Sequence, residues 1–233
     1  MSLSRFFRAR RWLRAAGLLL VAWLAVSFGA VALLRWYAPP FTAVMLEQPG
    51  PFARIDYRWV DRKAISRNAA RAAIAAEDQL FLEHHGIDFV SIDRALDDYR
   101  AGDGLRGAST ITQQVAKNLF LWQGRSFVRK ALEAYFALVI ELLWPKQRIL
   151  EMYLNIAELG PGVFGVDAAA RRFFDVPASR LTAPQAALLA AVLPNPRRFS
   201  AARPSAYVRS RQGFILTQVR LLEVRGHYEG LEW

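Results

Sequence analysis

Between Ala15 and Leu34 the chain runs for 20 residues, AAGLLLVAWLAVSFGAVALL, without one charge. As a helix that stretch is long enough to cross roughly 30 Å of hydrocarbon. Arg5, Arg8, Arg10, Arg11 and Arg14 precede it, whereas Arg35 alone follows closely. This asymmetry predicts a cytoplasmic N-terminus, with everything beyond residue 35 on the far side. Trp12, Trp36 and Tyr37 stand where interfacial aromatics belong. A cleavable signal peptide is the competing reading. Its apolar core is shorter, about 7–15 residues, although AVS at 25–27 and SFGA at 27–30 supply small residues.

The run also accounts for a composition that is 54% hydrophobic. No cysteine is present, which excludes disulfide staples and thiolate metal sites. The formal net charge is +11, and residues 160–233 hold ten arginines against five acids. A basic face beyond a membrane points to anionic headgroups or a phosphorylated ligand. Nucleic acid is not expected as a partner on that side.

Five segments are expected: a basic cytoplasmic tail at 1–14, the anchor at 15–35, and a proline-rich membrane-proximal connector at 36–60. A catalytic-sized domain follows at 61–226, then a tail at 227–233. The domain reads as all-α, without a convincing strand run, although the connector and loops could hide a small hairpin. RNAARAAIAAEDQLFLEHHG reads as one helix capped by Gly86. Asp88 and Ser91 cap the next, at about 91–101, before the turn AGDGLRG. Further helices are expected at about 126–143, 146–158, DAAARRFF, TAPQAALLAAVL and 204–224.

GASTITQQVAKNLF, residues 107–120, is unusual among these. Ile111, Val115 and Leu119 form an amphipathic stripe, but the opposite face carries hydroxyls and amides with Lys117 as its single charge. Glu77 follows an alanine-rich run, and a carboxylate in apolar surroundings gains the raised pKa of a general base. The plainer reading is an acid within a helix that runs on to a solvated end. Glu83-His84-His85 invites a metal reading, but adjacent helical side chains point about 100° apart and do not converge. Glu133 lies beside a stripe of Leu132, Phe136, Val139 and Leu143, with Arg125, Arg129 and Lys130 upstream. An Arg129–Glu133 bridge at i, i+4 and a functional carboxylate fit that spacing equally. Two such acids flanking a cationic groove are a common device in sugar chemistry.

Four segments together, EDQLFLEHHG (77–86), GASTITQQVAKNLF (107–120), RKALEAYFALVIE (129–141) and KQRILEMYLNIAELG (146–160), resemble the peptidoglycan glycosyltransferase family in order and spacing. The resemblance covers about 60–225. It implies a lysozyme-like helical fold with a small membrane-proximal jaw lobe. With no room for a transpeptidase domain, it implies the monofunctional branch. Such enzymes polymerise lipid II into glycan strands by inverting β-1,4 transfer. The partners implied are lipid II, the growing glycan chain and the membrane; cell-wall synthesis or division proteins are compatible with it. The location implied is the bacterial inner membrane, single-pass, with the catalytic domain periplasmic.

Residue by residue, the resemblance makes Glu77 the base that deprotonates the acceptor 4-hydroxyl. It makes Glu133 the second glutamate, which helps position the donor diphosphate directly or through a divalent ion. No cofactor is required; Mg or Mn at Glu133 is compatible with the pattern. Ser109, Thr110, Gln113, Gln114, Lys117, Arg125 and Arg129 fall at substrate-contact positions, and His84, Gly86, Asn118 and Asn155 at structural ones. A lipid diphosphate leaves without protonation, so one base suffices, and a face of hydroxyls and amides would let polymer slide. For Thr112 and Asn118, burial against backbone is the simpler alternative. Phe41, Val44, Met45, Leu46, Phe52, Leu80, Phe81, Phe89 and Val90 are candidates for the lipid-facing jaw, with Phe81 equally a core residue. A hydrolase on the same scaffold and a non-catalytic glycan scaffold are the rival functions.

Overall fold

The computed structural model describes residues 3–48, 55–100, 109–124, 126–231 and 233. The turn 101–107, Arg125 and the Pro49–Phe52 part of the connector lie outside the described residues. The chain divides into two compact units, Met1–Tyr37 and Ala38–Trp233.

The first unit is a single helix, α1 (Leu3–Leu34). Its span Arg10–Leu34 is 25 residues long and is, among the described residues, the one helix long and apolar enough to cross a membrane. At 1.5 Å per residue it reaches about 37 Å, so the chain is read as single-pass anchored.

The second unit is helical, with one small sheet. Its elements are α2 (Ala43–Leu46), β1 (Asp56–Tyr57), α3 (Arg67–Glu77), α4 (Phe89–Arg100), α5 (Ile111–Phe120), α6 (Phe127–Leu143) and α7 (Lys146–Ile156). There follow β2 (Glu158–Gly160), β3 (Val163–Phe164), α8 (Val166–Phe174), α9 (Ala183–Val192) and α10 (Ala206–Val224). At the centre lies α7, whose Ile149, Leu150, Met152, Tyr153 and Ile156 are all buried. On α3, Ala69, Ala70, Ala72, Ala73 and Ala75 are buried together with Ile74. Alanine faces let the backbones of α3 and the equally alanine-rich α9 approach closely, with α10 closing the other side of α3.

Three points go beyond the expectations, and the second corrects one. The strands, two or three residues each, are too short to leave a period-two pattern. They nonetheless form a sheet in the order β1-β3-β2, with Asp56 opposite Val163 and Tyr57 opposite Phe164. Through that sheet, residues 38–48 and 55–60 of the expected connector join the second compact unit. Tyr57 donates its hydroxyl to the Pro39 carbonyl at 2.9 Å, and Val44 and Met45 are buried against Phe164. Those two and Phe81 are therefore core, whereas Phe41, Leu46, Phe89 and Val90 remain exposed.

Second, α3 does not run to Gly86 but stops at Glu77. Asp78 leaves helical geometry (φ −162°, ψ 79°) and turns its carboxylate into the core. There it accepts the Ile111 amide at 2.9 Å and His84 Nε2 at 2.9 Å. A buried carboxylate with these donors outweighs the propensity of the alanines before it. Asp88 then caps α4, accepting the Ser91 amide at 2.9 Å. Third, the 227–233 tail docks on the region around α3: Tyr228 Oη donates to the Arg71 carbonyl and Trp233 Nε1 to the Ile65 carbonyl.

Between β3 and α8, Gly165 adopts φ +85°, where a Cβ would collide with the Asn155 carbonyl oxygen. Asn155 is itself fully buried and binds both backbone groups of Val60. Gly165→Ala is expected to cost about 3 kcal/mol from the left-handed φ and the collision together. Urea unfolding of the detergent-solubilised chain measures it, and a loss under about 1 kcal/mol would mean that the backbone relaxes there.

Candidate active site

The end of α3, the start of α5 and the middle of α7 converge on Glu77. Its side chain is 14% exposed. Gln114 Nε2 donates to Glu77 Oε2 at 2.9 Å, and the Tyr153 hydroxyl donates to Gln114 Oε1 at 3.3 Å. Burial, with the Glu77 and Asp78 carboxylates nearby, holds the Tyr153 pKa well above 10, so its hydroxyl keeps the proton it donates. That fixes the Gln114 amide, nitrogen toward the acid. From α10, Arg211 Nη2 stands 3.5 Å from Glu77 Oε1. Burial pushes the Glu77 carboxyl above its ordinary value of 4.5; the Gln114 bond, Arg211 and Lys117 oppose the rise and Asp78 adds to it.

Behind the acid, the loop 78–86 is locked. His84 Nδ1 accepts the Gly86 amide at 3.2 Å, leaving Nε2 to donate to Asp78. Gly86 takes φ +88° with its Cα against the Ala137 carbonyl, where a Cβ would lie 3.2 Å from that oxygen. Its own carbonyl accepts Thr110 Oγ1 at 2.6 Å. The adjacent histidines do not form a metal cluster, and no group of three His, Cys, Asp or Glu side chains among the described residues could hold an ion.

The polar face of α5 divides in two. Thr110 and Gln113, placed among the substrate contacts by the resemblance, form a capping box, each bonding the other's backbone amide. The cap uses Thr110 Oγ1 and Gln113 Oε1, while Thr110 also lines a cavity beside Glu77 and the Gln113 amide nitrogen takes no part in the cap. Thr112 donates to Glu141 Oε1, which Lys146 also holds at 2.8 Å, so that residue ties α5 to α6. What remains toward solvent is Ser109, whose hydroxyl accepts from Lys130 Nζ at 3.0 Å, together with Gln114, Lys117 and part of Asn118.

Two cavities meet at the Glu77–Gln114 bond. One, of about 350 Å³, is lined by Glu77, Asp78, Ser91, Arg94, Ser109 and Arg225. The other, of about 390 Å³, is lined by Gln114, Lys117, Asn118, Trp122, Arg129 and Tyr153, with Arg197 at its rim. Lys117 has no hydrogen bond or ion pair among the described residues. Burial lowers its pKa, Arg129 and Lys130 lower it further, and Glu133 and Glu77 raise it. A cavity lined by Lys117 and Arg129 suits a dianion.

Glu133 is 3% exposed and lies inside the buried face of α6, with Phe136, Ala137 and Ile140, not beside it. The i, i+4 bridge is present: Arg129 Nη1 meets Glu133 Oε2 at 2.5 Å, and Lys130 Nζ meets Oε1 at 2.5 Å. Glu133 lines neither cavity. With both oxygens bound to cations and more positive charge nearby, its surroundings do not fit a divalent ion. Arg125 lies outside the described residues.

Asp78, Tyr153 and Arg211 leave no mark in residue spacing that assigns them to the site. Tyr153 sits in a helical apolar stripe and reads as packing. Arg211 occupies α10, whose Val208, Ile215 and Leu222 are buried at sevenfold spacing, so an arginine between them was the available signal.

A transglycosylase family model matches residues 46–220. The biosynthetic peptidoglycan transglycosylase of Escherichia coli (strain ATCC 8739) is 54% identical over 231 residues, 94% of each chain. Its namesake from Xanthomonas campestris pv. campestris (strain B100) is 49% identical over 230 residues, covering 95% of this chain and 92% of the relative. That of Chromohalobacter salexigens is 50% identical over 229 residues, covering 95% and 97%. A match that begins in α2 and runs into α10, through Glu77, Gln114, Lys117, Tyr153 and Arg211, makes this chain a member of the transglycosylase family, the peptidoglycan glycosyltransferases of lysozyme-like helical fold.

Proposed function

We propose that the chain polymerises lipid II into linear glycan, transferring a sugar from a polyprenyl-diphosphate donor to the 4-hydroxyl of the acceptor. The observation that carries this reading is Glu77. It is a largely buried carboxylate with a raised pKa, held by Gln114 at the junction of a mixed polar cavity and a cationic one. The cationic cavity takes the donor diphosphate, with Lys117 and Arg129 against its charge. The acceptor lies on the Glu77 side. Its hydroxyl oxygen forms the bond to the anomeric carbon while the carbon–oxygen bond to diphosphate breaks. The diphosphate departs with the electron pair, and Glu77 takes the hydroxyl proton. Attack opposite the leaving group inverts an α-linked donor to a β-1,4 product. Glu133 acts through Arg129 and Lys130, which it holds toward the cavity.

Catalysis at headgroup height explains the anchor, since both substrates keep their lipids in the bilayer. The arginine asymmetry about α1 supports a cytoplasmic N-terminus, with the second unit in the periplasm of an inner membrane. The purified full chain given fluorescent lipid II in detergent should yield a ladder of products that lengthens with time. Shortening of preformed glycan without a ladder would favour the hydrolase, and neither activity the scaffold.

A further inference from the structure

We propose that Arg211 is a positioning residue for the base: its guanidinium fixes the Glu77 carboxylate from the side opposite Gln114 and makes α10 part of the catalytic apparatus. The inference rests on the reading of Glu77 as the base. Three observations carry it. The arginine stands 3.5 Å from Glu77 Oε1, while Gln114 holds Oε2 at 2.9 Å, so the carboxylate is bracketed through both oxygens. At 3.5 Å the contact is an ion pair and not a hydrogen bond, which leaves the Oε1 lone pair open to receive the acceptor proton. Arg211 Nε is buried without a hydrogen-bond partner. A guanidinium engaged only for packing would satisfy that group or turn it to water. Here Nε is buried and the terminal Nη2 is the group that meets the acid.

Register explains how it arrives there. Val208, Ile215 and Leu222 bury one stripe of α10, and the flank beside that stripe meets α3 in successive contacts. Glu223 pairs with Arg71 within α3 at 2.7 Å, and Gln218 accepts from Gln79, just past its end, at 3.4 Å. Arg211 meets Glu77, the last residue of α3. The charged and titratable groups facing Glu77 are then Arg211 from α10, Lys117 from α5, Tyr153 from α7, and Asp78 next to it in the chain. The other neighbour of α3, helix α9, carries no charged side chain.

Burial works against ionisation of Glu77, and the proton must leave again after each transfer. A cation at Oε1 keeps the acid charged between turnovers and lets it serve as a base near neutral pH. The test is the pH–rate profile of lipid II polymerisation by the full chain in detergent. It compares wild type, Arg211→Met, Arg211→Gln and Arg211→Lys, each first checked for a wild-type melting transition. With the cation removed, the acidic limb of the profile should move up by about one pH unit. In both uncharged variants, kcat on the acidic limb should fall about tenfold with KM little changed, and Arg211→Lys should restore most of the rate. Should Arg211→Met not fold, Arg211→Gln, which keeps polar packing, decides. An acidic limb that stays in place, or a rise in KM alone, would overturn the proposal. Glu77→Gln is run in parallel. If it still turns over, the reading of the base fails; if it is inactive while the limb stays fixed, only the role of Arg211 fails.

Discussion

Glu77→Gln should reduce lipid II polymerisation by at least about 1000-fold while leaving substrate binding intact. Gln has the size of Glu and keeps an oxygen for Gln114, so the change removes the proton acceptor and little else. Stability should move the other way. The folded-state pKa of Glu77 lies above its unfolded value, so the protonated carboxyl favours the fold. That contribution is fully present below the ordinary value of 4.5 and is lost as pH rises through the raised folded value. At pH 7 the wild type therefore carries the cost of a buried charge that the amide does not. The variant should melt at or above the wild-type temperature at pH 7, with the difference shrinking toward pH 4. A variant that retains turnover within a factor of ten, or that loses activity only because it unfolds at neutral pH, would remove Glu77 from the role of base.

Lys117→Ala should lower kcat/KM for lipid II by about 100-fold. Its ammonium lines the cationic cavity without a hydrogen bond or ion pair among the described residues, so none is lost with it. Burial already lowers its pKa, which means that the fold disfavours its charge. A functional lysine of this kind predicts a large loss of activity with no loss of melting temperature, and weaker binding of a non-reactive diphosphate-linked donor. Unchanged donor affinity, or a matching fall in stability, would show Lys117 to be structural.

These two residues were legible in the sequence because their chemistry leaves a local mark. An acid after an alanine run and a lone charge on an otherwise uncharged helix face are both anomalies of pattern. Glu133 was half legible. Its i, i+4 bridge to Arg129 follows from helix geometry alone, but its burial depends on which part of α6 faces the core. The α5 face divides for the same reason. Thr110 and Gln113 have the types and spacing of a capping box, yet their chemistry suits a sugar site equally until the helix start is fixed at Ile111.

The sequence by itself determined the anchor, the helical class and the order of the motifs, because each depends on runs and periods carried within one segment. Uncharged length decides a membrane span, 3.6-residue periodicity decides an amphipathic helix, and Thr182 ahead of Pro184 decides where α9 begins. Contacts between segments were decided only by the tertiary structure. The stop of α3 at Glu77 depends on the Ile111 amide, 33 residues on, which the Asp78 carboxylate must reach. The sheet depends on pairing two residues near position 56 with two near position 163, too few to mark their own periodicity. Arg211 comes to the base from 134 residues away, by the register in which α10 lies across α3. Local propensity sets what a segment can be. Burial of a carboxylate, and the donors that compensate it, is a property of everything packed around it, and only the folded chain brings those groups together.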